Sequence, residues 1–474
     1  MARLASDSSS TEAPGNVDPA ELHRGFGLLQ ASAMNMSNMV GVGPFMTIPL
    51  IIASMGGPQA MLGWILGALL AVCDGMVWAE LASAVPASGG SFEYLKVAYH
   101  RTPLGRLLPF LFIWQFILSG PLEVASGNIG FANYLSYMLP LSGSGKRYTA
   151  VAVGLLAVLL LYRRIESVGK LMVALWAGVL LTLGVVLACG LPHFRAQTVF
   201  DFPPHAFTFS QGFLLGLGSA MLVAMYDFLG YYSVCYIGGE VRNPSRTIPR
   251  SILISVVVVA AVYLSMNISL ISVLPWREAM KSQFIASEFM ERLYGRAGGV
   301  LMTLLICWTA FASVFALMLA YSRIPYAAAR DGFFFSAFAK LHPRGDFPHV
   351  SLLVLGSVAV ASSFFPLDEV ISALITTRIL VQFIGQIGAL ALLRRLGSQP
   401  GRFRMALYPL PALVALGGWT YIFATSGKRF ILIGLATLAA GVIAYGAWDK
   451  LSASRRRLED EPEPGREFPR EKQA

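Results

Sequence analysis

The sequence predicts an all-α integral membrane protein, and three observations carry that reading. Only 13% of its 474 residues are charged while 55% are hydrophobic, giving a mean hydropathy of +0.62; soluble domains carry about 25% charged residues. About twelve apolar segments of roughly 20 residues follow one another, each long enough to cross a hydrocarbon core about 30 Å thick. Two of them, the first and the sixth, are interrupted by glycine near their middles. A break at membrane depth leaves backbone groups unsatisfied unless it lines a polar cavity, so paired breaks point to a binding site for a transported solute.

The first span, 26–54, contains Met39-Val40-Gly41-Val42-Gly43-Pro44-Phe45. Gly41 and Gly43 lack a Cβ, which permits non-helical dihedrals and close approach of a ligand to the backbone. Pro44 suits the first turn of a resumed half-helix. The free N–H groups and positive dipole end that follow favour a carboxylate. Uninterrupted runs at 59–83, 106–138, 148–162 and 169–190 come next. The sixth span, 210–239, contains Tyr226-Asp227-Phe228-Leu229-Gly230-Tyr231. Its break offers the carbonyls of Tyr226, Asp227 and Phe228 to an ammonium group. Asp227 is a carboxylate at membrane depth, expensive unless paired or functional; it either attracts a cationic amine or caps the resumed helix. Spans at 250–274, 298–327, 350–365, 369–393, 407–425 and 430–448 complete the set. The fourth and ninth are short, so their ends are the least defined.

Five spans separate one break from the next, which places the two halves in opposite orientations. The organisation expected is a five-plus-five inverted repeat. Repeat one covers about 25–190, repeat two about 210–393, and two further helices about 407–448. Residues 1–24 read as a disordered cytoplasmic tail and 451–474 as a second solvated tail, with no soluble domain between them.

The net charge of +10 is orientation rather than a nucleic-acid patch. Lys96, Arg101 and Arg106, then Arg163 and Arg164, Arg242, Arg246 and Arg250, Arg330, Lys340 and Arg344, and Arg394, Arg395, Arg402 and Arg404 fall in loops on one side. This positive-inside bias puts both termini in the cytoplasm of a multi-pass protein of the cell membrane. Four cysteines inside spans without C-x-x-C spacing, and six scattered histidines, give neither a disulfide framework nor a metal site, and no cofactor is expected. Ser142-Gly143-Ser144-Gly145-Lys146 lacks the first glycine of a phosphate loop. The absence of H-E-x-x-H, G-x-S-x-G or a carboxylate pair at helical spacing argues against an enzyme.

Three further charges lie inside spans: Asp74, Glu123 and Arg378. An arginine in the tenth span should not sit unpaired. Glu123 is its preferred partner, or a substrate-site acid, and Asp74 the second candidate; all three are candidate gating or coupling groups. Ser313 has one hydroxyl to offer a sodium ion, though such residues commonly bond their own helix. Gly63-x-x-x-Gly67 and Gly212-x-x-x-Gly216 read as close helix contacts.

Three loop sequences are distinctive: Trp78 to Tyr94 (WAELASAVPASGGSFEY), Gly239 to Arg250 (GEVRNPSRTIPR) and Ser322 to Gly332 (SRIPYAAARDG). With the two breaks, in this order, they closely resemble permeases of the amino acid–polyamine–organocation superfamily, over about 25–450. The resemblance implies a leucine-transporter-like fold of 12 helices and secondary active movement of amino acids or amines by alternating access, with H⁺, Na⁺ or a counter-substrate as the driving partner. It carries substrate-carboxylate binding to Val42, Gly43 and Phe45, beside Val40 and Gly41, and an aromatic gate to Phe228. Three departures stand out. Pro44 has no N–H to donate. Tyr232 occupies a position often acidic in related carriers, which argues against polyamines. The lysine that couples some members to protons would fall near Gly178, whereas Lys170 lies at the start of its span. A polyamine or organic-amine carrier, and a nutrient sensor that moves nothing, remain the alternatives.

Overall fold

The structure, a computed structural model, describes residues 26–460 except 87–88, 163–167, 344–346 and 396–401. The expected N-terminal tail, Arg163, Arg164, Arg344 and residues 461–474 lie outside the described residues. Among the described residues all regular structure is helical, apart from one isolated bridge between Phe26 and Val241.

α1 (Leu28–Met39) and α2 (Gly43–Met55) form the first broken span, bent by 55°. α3 (Met61–Ala84), the short α4 (Ser91–Tyr99), α5 (Leu107–Met138), α6 (Gly143–Leu161), α7 (Val168–Gly190) and the single turn α8 (Ala196–Val199) precede α9 (Gln211–Phe228). α10 (Pro244–Val273), the turn α11 (Trp276–Ala279) and α12 (Ile285–Tyr321) follow, with α12 interrupted at Gly295, whose φ is +72°. Then come α13 (Arg323–Arg330), α14 (His349–Ser362) and α15 (Leu367–Arg378), which passes through a π-helical segment, Ile379–Ile384, into α16 (Gly385–Arg395). α17 (Leu410–Thr425) and α18 (Lys428–Asp460) close the chain. Among the described residues nine helical segments are long and apolar enough to cross a membrane, and the α1–α2 pair makes a tenth; α14 and α17 are apolar but shorter.

Several boundaries differ from the sequence reading, among them the start of α12 at Ile285, where 298 was expected. The sixth span does not resume as an α-helix: two 3₁₀ turns, Ser233–Tyr236 and Gly238–Glu240, carry the chain to α10. α10 opens on Pro244, where the missing N–H falls among groups that have no helical partner anyway. α18 continues as helix to Asp460, past the boundary expected near 448.

The tight crossing of α3 and α9 follows from glycine. A Cβ on Gly63 would lie 2.6 Å from the Ala220 Cβ, and one on Gly67 3.1 Å from that of Ala224. Gly216 leaves room for the Ser54 carbonyl of α2, which a Cβ would approach to 2.5 Å, whereas Gly212 has little near it. Small residues thus let α9 pack directly on both α3 and α2. The Ser142 side chain accepts from the Gly145 N–H at 3.1 Å and caps α6, so the Gly-Ser loop is a helix start.

The two ends of the bundle are tied differently. At one end the Tyr134 hydroxyl donates to the Phe45 carbonyl at 2.7 Å and the Tyr137 hydroxyl to Glu291 at 2.7 Å. On that side Arg277 and Trp276 also donate to Asp201 and hold its carboxyl below the usual carboxylate range. At the other end Arg394 makes two bonds of 2.6 Å to Glu80, which also accepts from the Met405 N–H at 2.9 Å. There Lys96 bridges Glu93 and Asp331, and Phe26 pairs with the strand-like turn before α10 through bonds of 3.1 and 2.9 Å.

Candidate functional site

The two breaks meet at mid-bundle. Gly230 has φ +108°, a left-handed conformation that favours glycine, and a Cβ there would lie 2.8 Å from the Asn38 Cβ of α1. Asn35 of α1 accepts the Val234 N–H at 2.8 Å, completing the first 3₁₀ turn. Across the gap, Gly43 lies against Asp227 and Tyr226: a Cβ on Gly43 would sit 2.2 Å from Asp227 Oδ1 and 3.3 Å from the Tyr226 ring. Gly41 lies against α12 in the same way: a Cβ there would sit 2.6 Å from Ser313 Oγ.

The backbone groups released by the breaks are partly satisfied by one side chain. The Tyr263 hydroxyl of α10 donates to the Met39 carbonyl at 2.6 Å and lies 3.2 Å from the Asp227 carbonyl. The Tyr226 carbonyl accepts from the Leu229 N–H at 3.2 Å. Two of the three carbonyls expected to face an ammonium therefore have a partner within the protein.

Asp227 is 3% exposed. Its Oδ2 accepts the Thr47 hydroxyl of α2 at 2.6 Å, and its Oδ1 has no hydrogen-bond partner. The expectation that it caps a resumed helix is corrected, because no α-helix resumes there and the carboxylate reaches back to α2. A cavity of about 50 Å³ opens at this point, lined by Val40, Gly41, Val42, Gly43, Tyr226 and Asp227 together with Glu123 and Ser313. Ser37, Val40, Glu123 and Ser313 also line a second cavity of about 670 Å³. That larger cavity runs past Gly230 and Tyr232 towards α4 and α13, at the end of the bundle where Lys96 and Asp331 lie.

Phe45, Phe228, Asp74 and Arg378 line neither cavity. Phe228, expected as a ring over the site, is 1% exposed and packs edge-on against Trp64 at 6.1 Å and beside Tyr263 at 5.7 Å. Successive helical residues are rotated by about 100°, so with Asp227 turned to α2 its neighbour is turned to α3. Phe45 contributes its carbonyl to Tyr134 rather than a group to the cavity.

The buried charges separate into two clusters. Arg378 Nη2 lies 2.9 Å from Glu123 Oε2, close enough for an ion pair but not aligned as a hydrogen bond. Arg378 Nε reaches Ser119 at 3.2 Å, and Tyr321 donates to the same Glu123 oxygen at 2.7 Å. Arg378 is the last residue of α15, and the π-helical segment begins directly after it. Asp74 has no part in this pair. It accepts from the indoles of Trp78 at 2.9 Å and Trp419 at 3.1 Å and from the Tyr231 hydroxyl. Ser313 donates to the Thr309 carbonyl of its own helix at 3.0 Å.

Sequence reasoning passed over Thr47, Tyr263, Ser126 and Tyr321. Ser126 bonds the Tyr226 hydroxyl at 2.7 Å and fixes that ring beside the cavity. The available signal was a tyrosine inside each of the seventh and eighth spans, Tyr263 and Tyr321, since a buried phenol needs a hydrogen-bond partner.

Comparison with known proteins points the same way. The chain matches the amino acid permease family over residues 26–444. It is 25% identical to the serine/threonine exchanger SteT of Bacillus subtilis over 91% of this chain and 98% of that protein. It is 29% identical to an uncharacterized transporter of Mycobacterium tuberculosis, over 90% of this chain and 92% of that one. The human Asc-type amino acid transporter 1 is 28% identical over 73% of this chain and 67% of its own length. With nearly the whole helical bundle inside the match, the chain belongs to the amino acid permease family, within the amino acid–polyamine–organocation superfamily.

Proposed function

We propose that this protein is a secondary active transporter that moves amino acids across the cell membrane by alternating access, with both termini in the cytoplasm. The observation that carries the reading is the meeting of the α1–α2 break with the end of α9 at a cavity shared by Gly41, Gly43, Tyr226 and Asp227. The substrate carboxylate sits at the N-terminus of α2, where the helix dipole favours an anion, with Pro44 giving no N–H and that of Phe45 bonded to the Val42 carbonyl at 3.2 Å. Its ammonium group lies towards Glu123 and the end of α9.

Twelve crossings follow if α14 and α17 also span, and the five-plus-five inverted repeat would relate the α1–α2 break to the end of α9. The asymmetry of the bundle supports the transport cycle. The 670 Å³ cavity reaches the end rich in lysine and arginine, while Tyr134 ties α5 to α2 on the opposite side. In this reading the carrier stands open to the cytoplasm and closed outside. The family match and relatives named as amino acid exchangers and transporters support the substrate class.

Uptake of labelled L-serine, L-alanine and L-lysine into liposomes containing the purified protein tests the proposal. Uptake above empty liposomes supports it. Binding in a thermal-shift assay without any flux would identify a sensor instead, and stabilisation only by amines lacking a carboxylate would identify an organocation carrier.

A further inference from the structure

The proposed site leaves one conflict of charge, and this inference rests on that reading of the site. The anion position at the start of α2 is already held by a side chain. Asp227 Oδ1 is so close to Gly43 that a Cβ there would lie 2.2 Å from it. The residue is 3% exposed, its other oxygen is bonded to Thr47 at 2.6 Å, and Oδ1 has no partner while the residue lines the 50 Å³ cavity. The described residues that line this cavity include no lysine, arginine or histidine. A substrate carboxylate seated on α2 meets Asp227 with no cationic side chain in the cavity lining to offset the repulsion. Two carboxylates sharing one site do not both stay ionised.

We propose that Asp227 takes up a proton when the substrate binds, so that each carboxylate seated on α2 brings one proton into the site. The proton comes from water in the 670 Å³ cavity, which shares Ser37, Val40, Glu123 and Ser313 with the smaller one. It binds Oδ1, and the carboxyl keeps its bond to Thr47 through Oδ2. Oδ1 changes from an unpartnered acceptor into an O–H that donates to the substrate carboxylate, a charge-assisted bond. The coupling ion of the transport step is then H⁺.

The groups around Asp227 leave this role to it. On α10, the Tyr263 hydroxyl already donates to the Met39 carbonyl, with the Asp227 carbonyl 3.2 Å away. On α5, Glu123 lines the same cavity, but its charge is matched by Arg378 of α15. On α3, Asp74 is enclosed by Trp78, Tyr231 and Trp419. On α9 itself, Tyr226 bonds Ser126. On α17, Tyr421 donates to the Leu214 carbonyl, and α2 offers no titratable group.

Isothermal titration calorimetry of the full-length protein with L-serine, L-alanine and L-lysine, at several pH values and in buffers of different ionisation heat, tests the idea. The expected result is uptake of about one proton per molecule bound, with affinity weakening up to about tenfold per pH unit on the alkaline side. In Asp227→Asn both the proton uptake and the pH dependence disappear. Thr47→Val, which removes the one hydrogen bond to the carboxylate, moves the midpoint of the dependence to higher pH. Binding without proton uptake in the wild type, or uptake that persists in Asp227→Asn, overturns the inference while leaving the amino acid reading intact. Should Asp227→Asn fail to fold, an unmoved midpoint in Thr47→Val overturns it. No binding of any amino acid at any pH removes the underlying reading as well.

Discussion

Asp74 and Asp227 are two aspartates in apolar helices, 1% and 3% exposed, and their surroundings are opposite. Asp74 accepts three hydrogen bonds, from Trp78, Trp419 and Tyr231, and lines neither of the two cavities. Asp227 accepts one, from Thr47, and its second oxygen is left without a partner at the edge of a cavity. Burial alone therefore does not mark a functional carboxylate in a membrane protein. A carboxylate enclosed by donors locks helices together, here α3 to α17 and to the turn after α9. One that is half satisfied and lines a cavity has a reason to change its charge.

Glu123 stands between these two cases. It lines both cavities, yet Arg378 and Tyr321 hold one of its oxygens.

The comparison gives an ordered set of tests. Gly43→Leu should have the largest effect. The added side chain must displace Asp227 and fill the cavity, so uptake falls to background while the protein still inserts; measurable uptake in a correctly inserted variant would break the site assignment. Next, Glu123→Gln or Arg378→Gln alone should lower stability by about 3–5 kcal/mol, because a buried charge is left unmatched. The double variant should lose less than the sum, and additive losses in thermal unfolding would show that the two do not act as a pair.

Asp74→Asn should cost about 1–3 kcal/mol, since an amide cannot accept three donors as a carboxylate does. Any binding that survives should keep the pH dependence of the wild type. Asp227→Asn should give the reverse pattern, with less than about 1 kcal/mol lost on unfolding but a flattened pH profile of binding. If the two variants exchanged these behaviours, the contrast drawn from partner count would be wrong. The smallest effect belongs to Ser313→Ala: its hydroxyl bonds its own helix, so uptake should change less than about twofold with or without sodium. A sodium-dependent loss would give that hydroxyl a ligand role.

Much of this was legible in the sequence, and the parts that were share a cause. Lipid removes the option of leaving backbone groups to water, so length, hydropathy and paired glycine breaks already dictate a helical bundle with a site at the breaks. The spacing of Gly41, Gly43 and Gly230 located the point where the breaks meet, because only glycine tolerates so close an approach of backbone to its neighbours. The cost of an unpaired buried cation was enough to match Arg378 with Glu123, 2.9 Å apart. The family resemblance read from three loops agrees with the match over residues 26–444.

The direction in which each side chain points was not legible. Phe228 and Asp227 are neighbours in sequence, and only the phase of α9 against α2 and α3 turns the ring into the core and the carboxylate onto Gly43. The partner of Glu80 lies 314 residues away at Arg394, beyond any local pattern. Tyr263 reaches both breaks only because α10 packs between them. The sequence by itself determined where helices run and where they must break, because those are local consequences of hydropathy and glycine. Which of Asp74, Glu123 and Asp227 is enclosed, paired or left with a free oxygen was decided only by tertiary packing, because hydrogen-bond satisfaction depends on groups that the fold brings from distant helices.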